Sequence, residues 1–301
     1  MSDRGYSLVE LLVSMAILLT VLSTVCQLAS PAHATAIVQG ELQEMQQRAR
    51  VVADRLTRDL WLAGAGTLSA PRRGPLGSRF TPIVPAVCCG TNADPPGSSF
   101  TDRLTVMYVL HDAIEAVTAM DIAPDALFLA LAPGPSCASP PLCGLADGDV
   151  IVVFDDSGSY DTFRLDLSSG LAVLVPRSIP YVTRYAAGAT AAQAVSRTYS
   201  HDSSSDVLFV EEGDGAPQPM VDRVTAFQVE YRDESGASLG GQLGDGPWRG
   251  SGSTQYDVDL LRVRRVRVSF TIRSGLSGTG ALRIPDLTSV INVTLRNAGS
   301  G

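Results

Sequence analysis

From Leu11 to Ser30, twenty consecutive residues (LLVSMAILLTVLSTVCQLAS) carry no charge and are mostly apolar. As a helix rising about 1.5 Å per residue they reach about 30 Å, the thickness of a bilayer's hydrocarbon core. The segment therefore belongs in a membrane. Two fates compete for it. Ala32-His33-Ala34 meets the small-x-small rule of a secretory signal peptidase, and cleavage there would release a soluble protein. Against this, the apolar run exceeds the usual signal-peptide core of about 7–15 residues, and the leader MSDRG offsets Arg4 with Asp3, which leaves a weak orientation signal.

The residues before the run decide between them. A short polar leader ends in Gly5, followed by Tyr6-Ser7-Leu8-Val9-Glu10-Leu11-Leu12, an aromatic residue and then an apolar run interrupted by one acid. This pattern resembles the processing motif of type IV prepilins and type II secretion pseudopilins. The resemblance implies that a prepilin peptidase cuts after Gly5, that the new N-terminus at Tyr6 is methylated, and that the hydrophobic helix is retained. Tyr6 stands where the family usually has phenylalanine, and it keeps the ring. Independently of the family, a carboxylate on an apolar helix costs several kcal/mol unless paired, so Glu10 is a functional residue by default and an amine is its natural partner. The resemblance supplies that amine, the N-terminus of a neighbouring subunit. The plainer alternative is an interfacial acid that snorkels toward headgroups.

After Pro31, which is expected to kink or interrupt the helix, apolar residues recur at Leu42, Met45, Ala49, Val52, Leu56, Leu60 and Ala63. Steps of three and four predict an amphipathic helix ending at Gly64, with Glu44/Arg48 and Asp54/Arg58 as i,i+4 pairs. QQRARVVADRLTRDLWLAGA, residues 46–65, resembles the stretch after the membrane helix in PilW-type minor pilins. Residues 65–100, rich in Gly, Pro and Ser, read as a long surface connection. Strand signals follow at 103–110, 126–132, 149–155, 162–167, 171–175 and 206–211. The clearest alternation lies near the C-terminus, where Val266, Val268, Phe270 and Ile272 interleave with Arg265, Arg267, Ser269 and Thr271, and Ile291, Val293 and Leu295 with Asn292, Thr294 and Arg296. Residues 221–233, 261–274 and 289–297 resemble three C-terminal blocks of PilW-type proteins. Residues 70–200 carry no motif that can be placed.

The expected fold is thus α+β and pilin-like, a long N-terminal helix whose first half spans the membrane, packed on a mainly antiparallel periplasmic β-sheet domain. Its parts are a leader at 1–5, a transmembrane helix at 6–30, an amphipathic helix at 31–64 and a β-rich domain at 65–301. Cys26, in the apolar run, reads as a small hydrophobe. Cys88, Cys89, Cys137 and Cys143 would face an oxidising periplasm and are candidates for one or two disulfides of open connectivity. A four-thiolate zinc site is disfavoured because CC and Cx5C are not CxxC pairs.

Catalytic patterns are nearly absent, and the chain is read as non-enzymatic with no cofactor and no metal. All 23 basic residues are arginine, which removes lysine chemistry such as the P-loop and Schiff bases. Gly236-Ala237-Ser238-Leu239-Gly240 fits GxSxG, but no histidine follows it. His33, His111 and His201 are scattered. Asp155, Asp156 and Asp161 miss the EF-hand spacing, so a solvated turn is favoured over calcium. A formal charge of −8 and a pI near 4.9 argue against a nucleic-acid binder. Arg262, Arg264, Arg265 and Arg267 form the one dense basic cluster, for which an adhesive or DNA-binding tip is the functional alternative and a solvated edge that guards against strand pairing the plainer reading.

The resemblance implies a minor pilin of the inner membrane that primes or caps a type IV pilus, with prepilin peptidase and other minor and major pilins as partners and the pilus tip as its final address. The alternatives are a J-type minor pseudopilin of type II secretion, for which the chain is long, and a secreted protein released after Ala34.

Overall fold

The computed structural model describes residues 8–65, 82–84, 103–110, 113–123, 131–132, 144–155, 160–167, 173–176, 184–213, 215–239, 262–276 and 284–296. Its dominant element is α1 (Leu8–Leu62), a helix of 55 residues, about 80 Å long. The helix runs through Pro31 without interruption, so of the kink or interruption expected there the interruption is corrected. A proline removes one backbone hydrogen bond, and a helix this long continues on the bonds to either side. Six of the seven periodic apolar residues after it, Met45, Ala49, Val52, Leu56, Leu60 and Ala63, are buried, whereas Leu42 is 39% exposed. Each fully buried Leu or Val on that face stabilises the docked helix by about 1.5–3 kcal/mol. Gly64 ends the helix with φ +72°, the left-handed conformation that a residue without Cβ adopts freely, and its N–H donates to the Met107 carbonyl at 2.9 Å.

The described strands are β1 (Ile83–Val84), β2 (Arg103–Tyr108), β3 (Glu115–Thr118), β4 (Leu131–Ala132), β5 (Val150–Phe154), β6 (Tyr160–Asp166), β7 (Val173–Pro176), β8 (Thr190–Asp202), β9 (Val207–Glu212), β10 (Gln218–Val221), β11 (Val224–Arg232), β12 (Arg265–Ile272) and β13 (Leu287–Thr294). All of their pairings are antiparallel. They form a large sheet, with β1-β2-β8-β5-β6-β7 as its main path, and a three-stranded sheet, β11-β12-β13. The chain is therefore α+β, as expected from its sequence.

The 13-residue β8 is the spine of the large sheet. Its first half pairs with β3 and β5, and its second half with β2 and β9. Around the first half, apolar residues cover both sheet faces: Ile151, Val153, Phe163 and Tyr185 belong to one cluster, Val150, Val152, Phe154 and Tyr160 to the other. Around the second half, Leu104, Val106, Tyr108 and Tyr199 join Met45, Val52, Leu56 and Leu60 of α1 in a core shared with Phe227, Val268, Phe270 and Ile272 of the three-stranded sheet. The C-terminal half of α1 thus packs on both sheets at once. The expected alternation of β12 is present as written, with arginines out and apolar residues in.

Candidate assembly site on the N-terminal helix

The first stretch of α1, Leu8–Gln27, is apolar and long enough to cross a membrane, and none of it is buried against the rest of the chain. Leu8 is 77% exposed and Leu18 64%, so twenty residues of helix project with no intramolecular partner for their apolar surface. The hydroxyls in this stretch are satisfied within the helix. Ser14 Oγ donates to the Leu11 carbonyl at 2.9 Å, Thr20 Oγ1 to Ile17 at 2.7 Å and Thr24 Oγ1 to Thr20 at 2.8 Å. Such back-bonding lets Ser and Thr lie in hydrocarbon at little cost. Glu10 is different in kind, a carboxylate on the exposed surface of the helix's first turn. Cys26 is a free, exposed thiol on the same stretch.

What fastens the other half of the helix, beside its apolar contacts, is a buried ionic cluster around Asp59 that was not singled out from the sequence. Asp59, wholly buried on α1, accepts a hydrogen bond from Tyr199 Oη and another from Arg197 Nη1 at 2.7 Å. Arg197 Nη1 also reaches Tyr108 Oη at 2.9 Å, and its Nε donates to Glu212 at 2.8 Å. Arg55, one turn back on the helix, pairs with Glu212 at 3.0 Å and stands 3.9 Å from Asp59. Burial, and then the Asp59 charge, push the Tyr199 hydroxyl far above its ordinary pKa and raise that of Tyr108. Burial works against the Arg197 charge, but Asp59, Tyr108 and Glu212 outweigh it, so its pKa also rises. The signal was present in the sequence: Asp59 falls three residues after Leu56 and four before Ala63, inside the apolar arc of the helix.

A second tie lies nearer the membrane stretch. Glu41 Oε1 accepts from the Gly275 N–H and from Arg223 Nη1 at 3.3 Å, and Arg48 bridges Asp222 at 3.0 Å and Glu44 at 2.7 Å. The expected Glu44/Arg48 pair is therefore made. The expected Asp54/Arg58 pair is not, because both side chains lie on the exposed face, where an ion pair gains little against the entropy of fixing two long side chains.

The remaining sequence candidates separate. Gly5 and Tyr6 precede the described residues, and Cys88, Cys89, Cys137, Cys143, His111 and Asp156 also lie outside them. Asp161 turns into the core, where it accepts from Tyr185 Oη at 2.7 Å, so it does not converge with Asp155 on a calcium site. His33 is exposed, and His201 meets the Val224 carbonyl at 2.6 Å. Ser238 bridges back to Arg232 across a turn fastened by Asp233, and Gly240 and the residues that follow it lie outside the described ones. Arg265 and Arg267 share the outward face of β12, which is the central strand of its sheet. The expectation of a guarded edge is thus corrected.

Residues 1–25 match a family described as the prokaryotic N-terminal methylation motif. No curated protein and no solved structure matches the chain. The motif and the apolar helix that carries it support a membrane-anchored protein of type IV pilin or pseudopilin type, processed by a prepilin peptidase and assembled with other pilins.

Proposed function

We propose that this chain is a minor pilin that assembles with other pilins to prime or cap a type IV pilus, a structural role without catalysis. One observation carries the reading: the methylation motif at residues 1–25 heads a helix whose first twenty residues are bare and whose later turns are clamped to a β-domain. A bare apolar stretch needs lipid before assembly and neighbouring helices after it. The helix also passes unbroken through Ala32-His33-Ala34, a site that a signal peptidase would have to reach in extended form. The PilW-type blocks at 221–233, 261–274 and 289–297 favour the pilus over the secretion machine. They include β11, β12 and most of β13, the sheet on which α1 docks.

In this reading Glu10 neutralises the N-terminal amine of the adjacent subunit in a low-dielectric bundle. Glu10→Ala tests it. The precursor should still be cleaved and remain in the inner membrane, while piliation falls and the variant disappears from sheared pili. Pili of normal number that carry Glu10→Ala at wild-type level would contradict the role.

A further inference from the structure

On the outward face of the three-stranded sheet, Arg232 and Arg267 flank the carboxylate of Glu230, and Arg265 stands beside Arg232. Arg232 of β11 lies directly opposite Arg265 of β12 in the register, and Arg267 lies opposite Glu230. Arg232 donates to Glu230 at 3.0 Å and to the Gly236 carbonyl at 3.2 Å, and Arg267 stands 3.9 Å from Glu230. The Arg265 side chain has no hydrogen bond or ion pair to any described residue, although a Cβ on Gly236 would sit 3.7 Å from its Nη1. The buried Nε of Arg232 has no acceptor among the described residues. Arg232, Arg265 and Arg267, with Asn292 and Thr294 of β13, line one shallow groove. Like charges directly opposite on a sheet are destabilising, and β12 has no free edge for them to guard. A partner carboxylate would remove that cost and meet the unpaired N–H groups with the fork geometry that suits arginine.

We propose that this groove is a docking site for an acidic polypeptide segment on a partner subunit. Its position excludes a lipid headgroup. Arg296, two residues beyond Thr294, stacks over Trp61 at 5.1 Å, which puts the groove at the far end of α1, about 50 Å of helix beyond Gln27. Only this exclusion rests on the membrane reading of Leu8–Gln27. Nucleic acid is disfavoured because a polyanion approaching a body of formal charge −8 meets repulsion at every phosphate outside the groove, whereas an acidic side chain brings only one or two charges.

The test uses the full chain in detergent micelles and fluorescence anisotropy of a labelled peptide of alternating aspartate and glycine. Its asparagine counterpart and an oligothymidylate of the same length are the comparison probes. The aspartate peptide should bind, the asparagine peptide should not, and Arg265→Gln should weaken binding about tenfold. Arg50→Gln, which removes the same charge from the exposed face of α1, should leave it within about twofold. Because the Arg265 side chain makes no hydrogen bond or ion pair with any described residue, its replacement should leave the melting temperature unchanged. Absence of peptide binding, equal losses in both variants, or tighter binding of the oligonucleotide through Arg265 would each overturn the proposal. None of these results bears on how the N-terminus is processed, so the pilin reading stands or falls separately.

Discussion

Asp59 on the helix and Arg197 on β8 meet at 2.7 Å, with the carboxylate fully buried and the guanidinium partly so. The pair and its two phenols are the polar fastening of an otherwise apolar dock, and they fix the position of α1 along the sheet as well as its attachment. An apolar stripe alone tolerates a slide of one turn; a buried carboxylate that must find Arg197 and Tyr199 does not.

Removing one partner strands the other. Asp59→Asn should destabilise the full chain by about 3–5 kcal/mol in urea unfolding, because Arg197 is left desolvated and half-paired. The double variant Asp59→Leu, Arg197→Met should recover much of that loss, since an apolar pair of similar volume fits the surrounding core. A loss below about 1 kcal/mol for Asp59→Asn would show the helix to be held by apolar contacts alone.

The phenols give a pH dependence of known sign. Tyr108 and Tyr199 have folded pKa values above the unfolded value near 10, so the folded state holds their protons longer. Their contribution is complete below pH about 10 and falls as the pH rises beyond it, by up to about 1.4 kcal/mol per pH unit for each phenol. Stability should therefore stay level with respect to these two groups from pH 7 to 9 and decline above 10. Ultraviolet titration should find Tyr108 and Tyr199 among the tyrosines that ionise only with unfolding. Ionisation of every tyrosine near pH 10 in a folded protein would contradict the cluster.

The second tie is tested at Gly275. A Cβ there would collide with Arg223 Nη1, so Gly275→Ala must push the guanidinium away from Glu41. Because Arg223 is a flexible, partly exposed side chain, the cost should be modest, about 1 kcal/mol. Amide exchange should speed up in the α1 turns around Glu41 and remain unchanged around Asp59. Equal acceleration at both places would mean that the two ties act as one.

The soluble-side cysteines carry a redox prediction. If the domain is exported to the periplasm, denatured protein prepared without reductant should show fewer than four reactive thiols among Cys88, Cys89, Cys137 and Cys143. Four reactive thiols in fresh material would place the domain in a reducing compartment or leave the cysteines unpaired.

The helix and the C-terminal sheet were legible because their periods are pure: Met45 to Ala63 repeat by threes and fours, and Val266 to Ile272 by twos. The spine of the large sheet was not. β8 reads TAAQAVSRTYSHD, and its buried positions include Ala191, Ala192, Ala194, Ser196 and Thr198, residues too small or too polar to register as a hydrophobic strand. Its place is set by the strands that pair on either side of it and by contacts such as the buried Thr105–Thr198 hydroxyl pair at 2.9 Å. Those are long-range facts that no local window contains. The arginine groove was hidden for the same reason: Arg232 and Arg265 become neighbours only through the register of β11 on β12.

The central claim concerns the N-terminus, and intact-mass analysis of the membrane fraction tests it most directly. The account predicts a species that has lost Met1 to Gly5, begins at Tyr6, carries one added methyl group and retains the whole of α1, while Gly5→Leu accumulates as uncut precursor. A soluble species beginning at Thr35 and unaffected by Gly5→Leu would show that the helix is discarded as a signal peptide, and would contradict the account at its base.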